Sequence, residues 1–229
     1  MTDSKARLYA DREFFDAPGA SLQAVASDGW SAPQERALPH IVPMRALSPR
    51  HRKRIVQHLL ALSPQDRYLR FGYAAQDVHI QKYVDSLDFA RDEIYGIFNR
   101  ALKLIAVAHL ALCADPMHVS SAEFGVSVNQ DVRGKGYGAL LFDRAMTHAR
   151  NQGISMMFIQ ALSENAAMLK IATNAGAEVV RHGSESEAHL ALPPATLDSR
   201  FTEVVEDKVA EWDFQLKRQA RRFSRWLGH

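Results

Sequence analysis

Apolar residues recur along this chain at two periods. Between Ala122 and Val128 they alternate: Phe124, Val126 and Val128 lie on one side, and Glu123, Gly125 and Ser127 on the other, the pattern of a half-buried strand. Between Ala139 and Arg150 they step by three and four, through Leu140, Leu141, Ala145, Met146 and Ala149, the pattern of an amphipathic helix. The same two rhythms predict the elements on either side. His40 to Leu47 reads as an edge strand, because Pro43 removes a ladder donor. Ser48 caps a helix with Pro49 at its first position and Ile55, Val56, Leu59 and Leu60 on its apolar face. Ser63-Pro64 opens a second helix in the same way, and Gln76 to Leu87 is a third helical segment. Ile94 to Asn99 and Leu102 to Cys113 form a hairpin about Asn99-Arg100-Ala101.

Beyond the Ala139 helix, Ser155 to Leu162 is a near-continuous apolar run, as for a central strand buried on both faces. Asn165 to Asn174 is a helix ending at Gly176, and Glu178 to Arg181 and Ala188 to Leu192 are two last strands. Residues 38–193 therefore read as one α/β domain. Residues 1–37 form an N-terminal extension with a short helix from Lys5 to Phe15 and no assigned chemistry. In the final segment, 194–229, one long amphipathic helix is expected over 196–227, with Phe201, Val205, Val209, Trp212 and Leu216 beginning a single stripe. That stripe must bury against its own domain or against a second subunit, so a homodimer stays open.

Composition narrows the class. The chain has 229 residues, 47% hydrophobic and 24% charged, which suits one domain with a sizeable core plus extensions. A formal net charge of +2 gives no indication of a nucleic-acid partner. The basic run Arg50 to Arg54 reads as a solvated helix face. One cysteine, Cys113, excludes a disulfide framework and a multi-cysteine metal site, and reads as a small core residue. No apolar stretch has the length of a membrane span. The expectation is a soluble cytoplasmic protein, with no membrane partner and no metal.

The candidate chemistry lies between the alternating strand and the helix. Arg133-Gly134-Lys135-Gly136-Tyr137-Gly138 forms a strand-to-helix turn. Glycine lets a ligand approach the backbone closely, and the free N–H groups of a helix N-terminus favour an anion such as a pyrophosphate. The string is neither the nucleotide loop G-x-x-x-x-G-K-S/T nor the dinucleotide fingerprint G-x-G-x-x-G. It is R-x-x-G-x-G, which resembles the coenzyme A pyrophosphate loop of the GNAT family of N-acetyltransferases. Downstream, Asn165 begins N-x-x-M-L-x-x-A-x-x-x-G-A, which is similar to that family's segment after its fifth strand.

The resemblance implies a GNAT fold: a mixed, twisted central sheet with splayed strands, flanked by helices, here with the long C-terminal helix added. It implies an acetyl-CoA-dependent N-acetyltransferase whose acceptor is a primary amine, on a protein lysine or a small molecule, attacking the thioester directly. It assigns the general base to Glu123, whose carboxyl is expected to be raised by burial beside apolar residues; the other reading is a salt-bridged strand residue. Backbone groups of Val126 and Val128 would hold the pantetheine arm. Arg133, Gly134, Lys135, Gly136, Tyr137 and Gly138 would take the pyrophosphate, with a solvated loop lysine as the other reading of Lys135. Asn165 would contact pantetheine, cap the helix, or do both. Where many members carry a tyrosine acid, this chain has Ala172. That departure keeps a second class open, an acyl-CoA-binding regulatory module without turnover. His109 and His118 are alternative bases, although His109 in an apolar strand reads first as a satisfied core histidine. Leu62 to Phe71 also looks like a stretch in the GNAT domain of bacterial protein-lysine acetyltransferases.

Overall fold

The computed structural model describes residues 43–113 and 120–196, together with Lys208. The expectations for residues 1–37, for His118 and for the helix over 197–227 lie outside the described residues. Among the described residues one sheet of seven strands runs in the order β1-β2-β3-β4-β5-β7-β6. The strands are β1 (Met44–Ala46), β2 (Glu93–Phe98), β3 (Leu104–Cys113), β4 (Ser121–Val128), β5 (Met156–Leu162), β6 (Glu178–His182) and β7 (Glu185–Ala191). β1 is an edge strand, as Pro43 requires. All neighbouring pairs are antiparallel except β4 with β5.

Two helical layers cover the sheet because β2 and β3 bury alternate residues on opposite faces. Tyr95, Ile97, Ala106, Ala108 and Leu110 pack on one side against α4 (Tyr137–Asn151) and α5 (Ala166–Asn174). Ile94, Phe98, Leu104 and Val107 pack on the other against α1 (Arg52–Leu60), α2 (Pro64–Phe71) and α3 (Asp77–Ser86) and the loops between them. Inside the first layer, Phe124 of β4 meets Phe142 of α4 edge to face at 5.0 Å.

The helix starts show local chemistry at work. Ser63 Oγ accepts the Asp66 N–H, so Ser63 caps α2 as expected. At the first helix start Ser48 and His51 form a capping box, with Pro49 in the first turn as expected. There the His51 ring accepts the Ser48 backbone N–H, and α1 is preceded by a short 3-10 turn, Pro49–His51. The basic run is not simply a solvated face. His51 is buried, and Arg52 crosses to the carbonyls of Val84, Asp85 and Leu87, satisfying the C-terminal end of α3. Cys113 is exposed at the end of β3 rather than buried in the core.

β5 departs from the expectation of burial on both faces. Met157, Ile159 and Ala161 are buried under α4 and α5, but on the other face Met156 and Phe158 are half-buried and Gln160 is exposed. The Gln160 end of that open face is a cavity wall. For the same reason β7 begins three residues earlier than its apolar pattern suggests. Glu185, Ser186 and Glu187 pair with Leu162, Ala161 and Gln160, and Glu185 and Glu187 lie on the open side.

The parallel ladder between β4 and β5 is short. Only Ser121, Ala122 and Glu123 pair with Met156, Met157 and Phe158; beyond Glu123 the two strands part.

Phe142 is fully buried against Phe124. Its replacement by alanine is expected to cost about 3–5 kcal/mol in urea unfolding at neutral pH, transfer and cavity terms together. A loss below ~1 kcal/mol would contradict this account of the core.

Candidate active site

A cavity of about 760 Å³ opens where β4 and β5 part. One wall is β4 from Glu123 to Val128; β5 supplies Gln160, Ala161 and Leu162, and β7 supplies Glu185, Ser186 and Glu187. α2 contributes Asp66, Leu69, Arg70 and Phe71, and α5 contributes Met168 and Ile171. Of the residues singled out from the sequence, Glu123, Val126, Val128, Arg133, Gly138 and Asn165 line this one cavity. Gly134, Lys135, Gly136 and Tyr137 are not among its lining residues.

The three loop glycines have different physical causes. Gly134 and Gly136 have φ of +75° and +77°, a conformation that L side chains resist. Gly138 lies inside the first turn of α4, and a Cβ there would stand 3.1 Å from Ile171 Cδ1. A side chain there would press on Ile171, where α4 approaches α5. Gly136 provides α4 with no side-chain cap, so the first-turn N–H groups are left for an outside acceptor. These features fit a pyrophosphate at the loop, and the slot between the parted strands fits a narrow arm such as pantetheine. Lys135 is exposed.

α2 ties the two sides of the opening together. Its buried Asp66 receives Arg133 Nη2 at 2.5 Å. Burial alone would raise the Asp66 carboxyl, but the Arg133 guanidinium and the Ser63 bonds outweigh it and hold the group below its ordinary value. On the far side, Asn165 Oδ1 accepts the Met168 N–H at 3.2 Å, capping α5, and its Nδ2 donates to Leu69 O at 3.4 Å. Between these links Arg70 lies over β4. A Cβ on Gly125 would stand 2.6–2.8 Å from the Arg70 guanidinium atoms, so a side chain there would displace the guanidinium from its present position.

Arg70 is in turn held from behind. Its Nη2 donates to Tyr83 Oη at 3.0 Å, Tyr83 bonds His109 Nδ1 at 2.9 Å, and His109 Nε2 reaches Asp92 Oδ2 at 3.1 Å. Burial would raise the Asp92 carboxyl; Arg91 and His109 overcome that and keep it low. An ionised Asp92 can only accept, so His109 carries its proton on Nε2 and takes the Tyr83 O–H at Nδ1. Burial lowers the His109 imidazole and raises the Tyr83 phenol, so both are neutral at pH 7. His109 is satisfied at both nitrogens and does not line the large cavity.

Glu123 is the last residue paired to β5. It is exposed on the cavity wall, not packed among apolar side chains as expected, and among the described residues it has no ion-pair partner. Ala172 is fully buried and is not a lining residue. Asp66, Arg70, Tyr83 and Asp92 were not singled out individually. Asp66 and Arg70 carry a helical signal, being four apart and so on one face of α2. Tyr83 and Asp92 carry none, since their partners lie 26 and 17 residues away. Among the described residues no group of three or more His, Cys, Asp or Glu could hold a metal ion, and no helix is long and apolar enough to cross a membrane.

The glycine loop after a strand that parts from its parallel neighbour is the arrangement expected of an acyl-CoA-dependent acetyltransferase. The acetyltransferase (GNAT) domain family matches residues 43–178, and the chain belongs to it. No curated protein matches the sequence. The GNAT domain of S. lividans PAT superposes with a TM-score of 0.55 at 19% identity, over 65% of this chain and 89% of its own. An N-acetyltransferase from Staphylococcus aureus Mu50 superposes with a TM-score of 0.53 at 12% identity, over 66% of this chain and 98% of its own. A ribosomal-protein α-N-acetyltransferase solved in complex with coenzyme A superposes with a TM-score of 0.50 at 17% identity, over 65% of this chain and 93% of its own.

Below the cavity, Ser127 Oγ is 2.9 Å from Nε2 of His58, whose Nδ1 lies 3.3 Å from Leu104 O. Burial lowers His58 to about 4, against bonds to Leu104 and Ser127 that act the other way. Above pH 6.5 folded and unfolded chains both hold it neutral. As pH falls from 6.5 to about 4, only the unfolded chain takes the proton, so stability is lost in that window. The stability of wild type minus that of His58→Gln is therefore expected to fall by about 3 kcal/mol between pH 7 and pH 4 in denaturant titrations. A pH-independent difference would overturn the assignment.

Proposed function

We propose that the protein is an acetyl-CoA-dependent N-acetyltransferase whose acceptor is a primary amine, with Glu123 as general base. One observation carries this reading: Glu123 stands at the point where β4 and β5 part, on the wall of the cavity. Acetyl-CoA, when bound, supplies an activated acetyl thioester. The chain's residues do the rest. The N–H groups of the 133–138 loop and the start of α4 hold the pyrophosphate, with Arg133 adding charge. Val126 and Val128 offer backbone groups to the pantetheine arm. Asn165 fixes the wall on which that arm lies, because its own side chain joins α2 to α5.

A lysine-type ammonium, with a pKa near ~10.4, is not nucleophilic until it loses a proton. Glu123 takes that proton, directly or through a water in the open cavity. Ala172 offers no proton to the departing sulfur, and a thiolate whose thiol pKa is near ~8.5 is an adequate leaving group without one.

Two substitutions separate binding from chemistry. Glu123→Gln is expected to lower kcat by roughly 10²- to 10⁴-fold while acetyl-CoA still binds in calorimetry. Gly136→Glu, which adds strain at positive φ and a like charge at the helix start, is expected to weaken acetyl-CoA binding by at least roughly tenfold. Undiminished turnover by Glu123→Gln removes the base assignment. Acetyl-CoA binding by wild type without CoA release across a broad amine panel would favour a regulatory module instead.

A further inference from the structure

The guanidinium of Arg70 is built into the cavity at some structural cost. Gly125 gives up a side chain beneath it, and Tyr83, His109 and Asp92 hold it from behind. The rings of Phe71 and Tyr83 lie 5.3 and 5.5 Å from its Cζ. A guanidinium has five N–H donors in a planar fork. Here one nitrogen donates to Tyr83, and among the described residues Arg70 has no carboxylate within ion-pairing distance and no other hydrogen-bond acceptor. A half-buried fork facing a cavity with free donors matches a planar anion, above all a carboxylate. The pyrophosphate has its own place at the glycine loop, so the anion belongs to the acceptor.

The rest of the same sheet face has the opposite sign. Glu123 pairs with Phe158, and Gln160 and Leu162 follow on that face opposite Glu187 and Glu185 of β7. Glu123 is two residues from Gly125, about 7 Å along the strand, and β7 lies two strands from β4, about 10 Å or more. A guanidinium over Gly125 and a carboxylate two residues along the same strand at Glu123, at this spacing, complement a small zwitterion. We propose that the acceptor is a small amino-carboxylate, such as a free amino acid, with its carboxylate on Arg70 and its amine toward Glu123. This rests on the acetyltransferase reading above and narrows its acceptor.

The test uses the full chain and acetyl-CoA. The twenty standard amino acids are assayed for CoA release, each beside its own α-carboxamide, together with a lysine peptide blocked at both termini. Wild type is expected to favour at least one amino acid over its carboxamide by roughly 10- to 100-fold in kcat/KM, expressed mainly in KM. Arg70→Gln should bring that ratio toward one, and Arg70→Lys should keep part of it. Tyr83→Phe, which removes the phenol that aims the fork, should lower the ratio with less effect on folding. Acetyl-CoA calorimetry on every variant reports whether the fold and cofactor site survive. Turnover with no carboxylate preference in wild type, or a faster rate on the blocked peptide, overturns the inference and leaves the acetyltransferase reading standing. Absence of acetyl-CoA binding by wild type overturns that reading itself.

Discussion

The parting of β4 from β5 is the constraint on which the rest of the structure depends. A parallel ladder that stops after three residue pairs leaves two backbone edges facing each other across a gap. Buried backbone groups need partners, so such a gap persists only where a ligand or water can reach it. The surrounding elements keep it open. β3 and β7 hold β4 and β5 from their outer sides, and α4 and α5 floor the opening with apolar side chains. The exposed Gln160 of β5 and the polar start of β7 go with the same gap, because these residues border a cavity and not a helix.

α2 is the second organising element. It is only eight residues long, yet it meets the glycine loop through Asp66, α5 through the Leu69 carbonyl and β4 through Arg70. The glycine-loop end and the Arg70 end of the cavity thus share one short wall. Exposed ion pairs contribute little to stability, but a buried carboxylate held low by a guanidinium has to keep its partner. Asp66 and Arg133 therefore matter as a fastening between the loop and α2 more than as a source of overall stability.

Much of this was legible in the sequence, because much of it is local. The glycine loop, the Ser-Pro helix starts, the hairpin strands and the Asn165 cap are each set by residues within a few positions of one another. What was not legible depends on distant pairing. Ser127 meets His58 across 69 residues and Asn165 meets Leu69 across 96, and no periodicity records either. The apolar run of β5 pointed to burial on both faces, since hydrophobicity alone does not distinguish a covered face from one that borders a cavity. The side of the strand on which Glu123 lies was legible, but its exposure on the cavity wall was not, because a strand pattern gives the side of a residue and not what stands opposite. Ala172 marked an absent phenol, and the position proves to be core.

The contact between Arg70 and Gly125 has a consequence for how this sequence can drift. A methyl group at 125 would occupy the space of a guanidinium held in place by Tyr83. The two positions are therefore coupled. A side chain at 125 would push the guanidinium off its seat on the strand and away from Tyr83, so the bare backbone at 125 and the aim of the fork at 70 are kept or lost together.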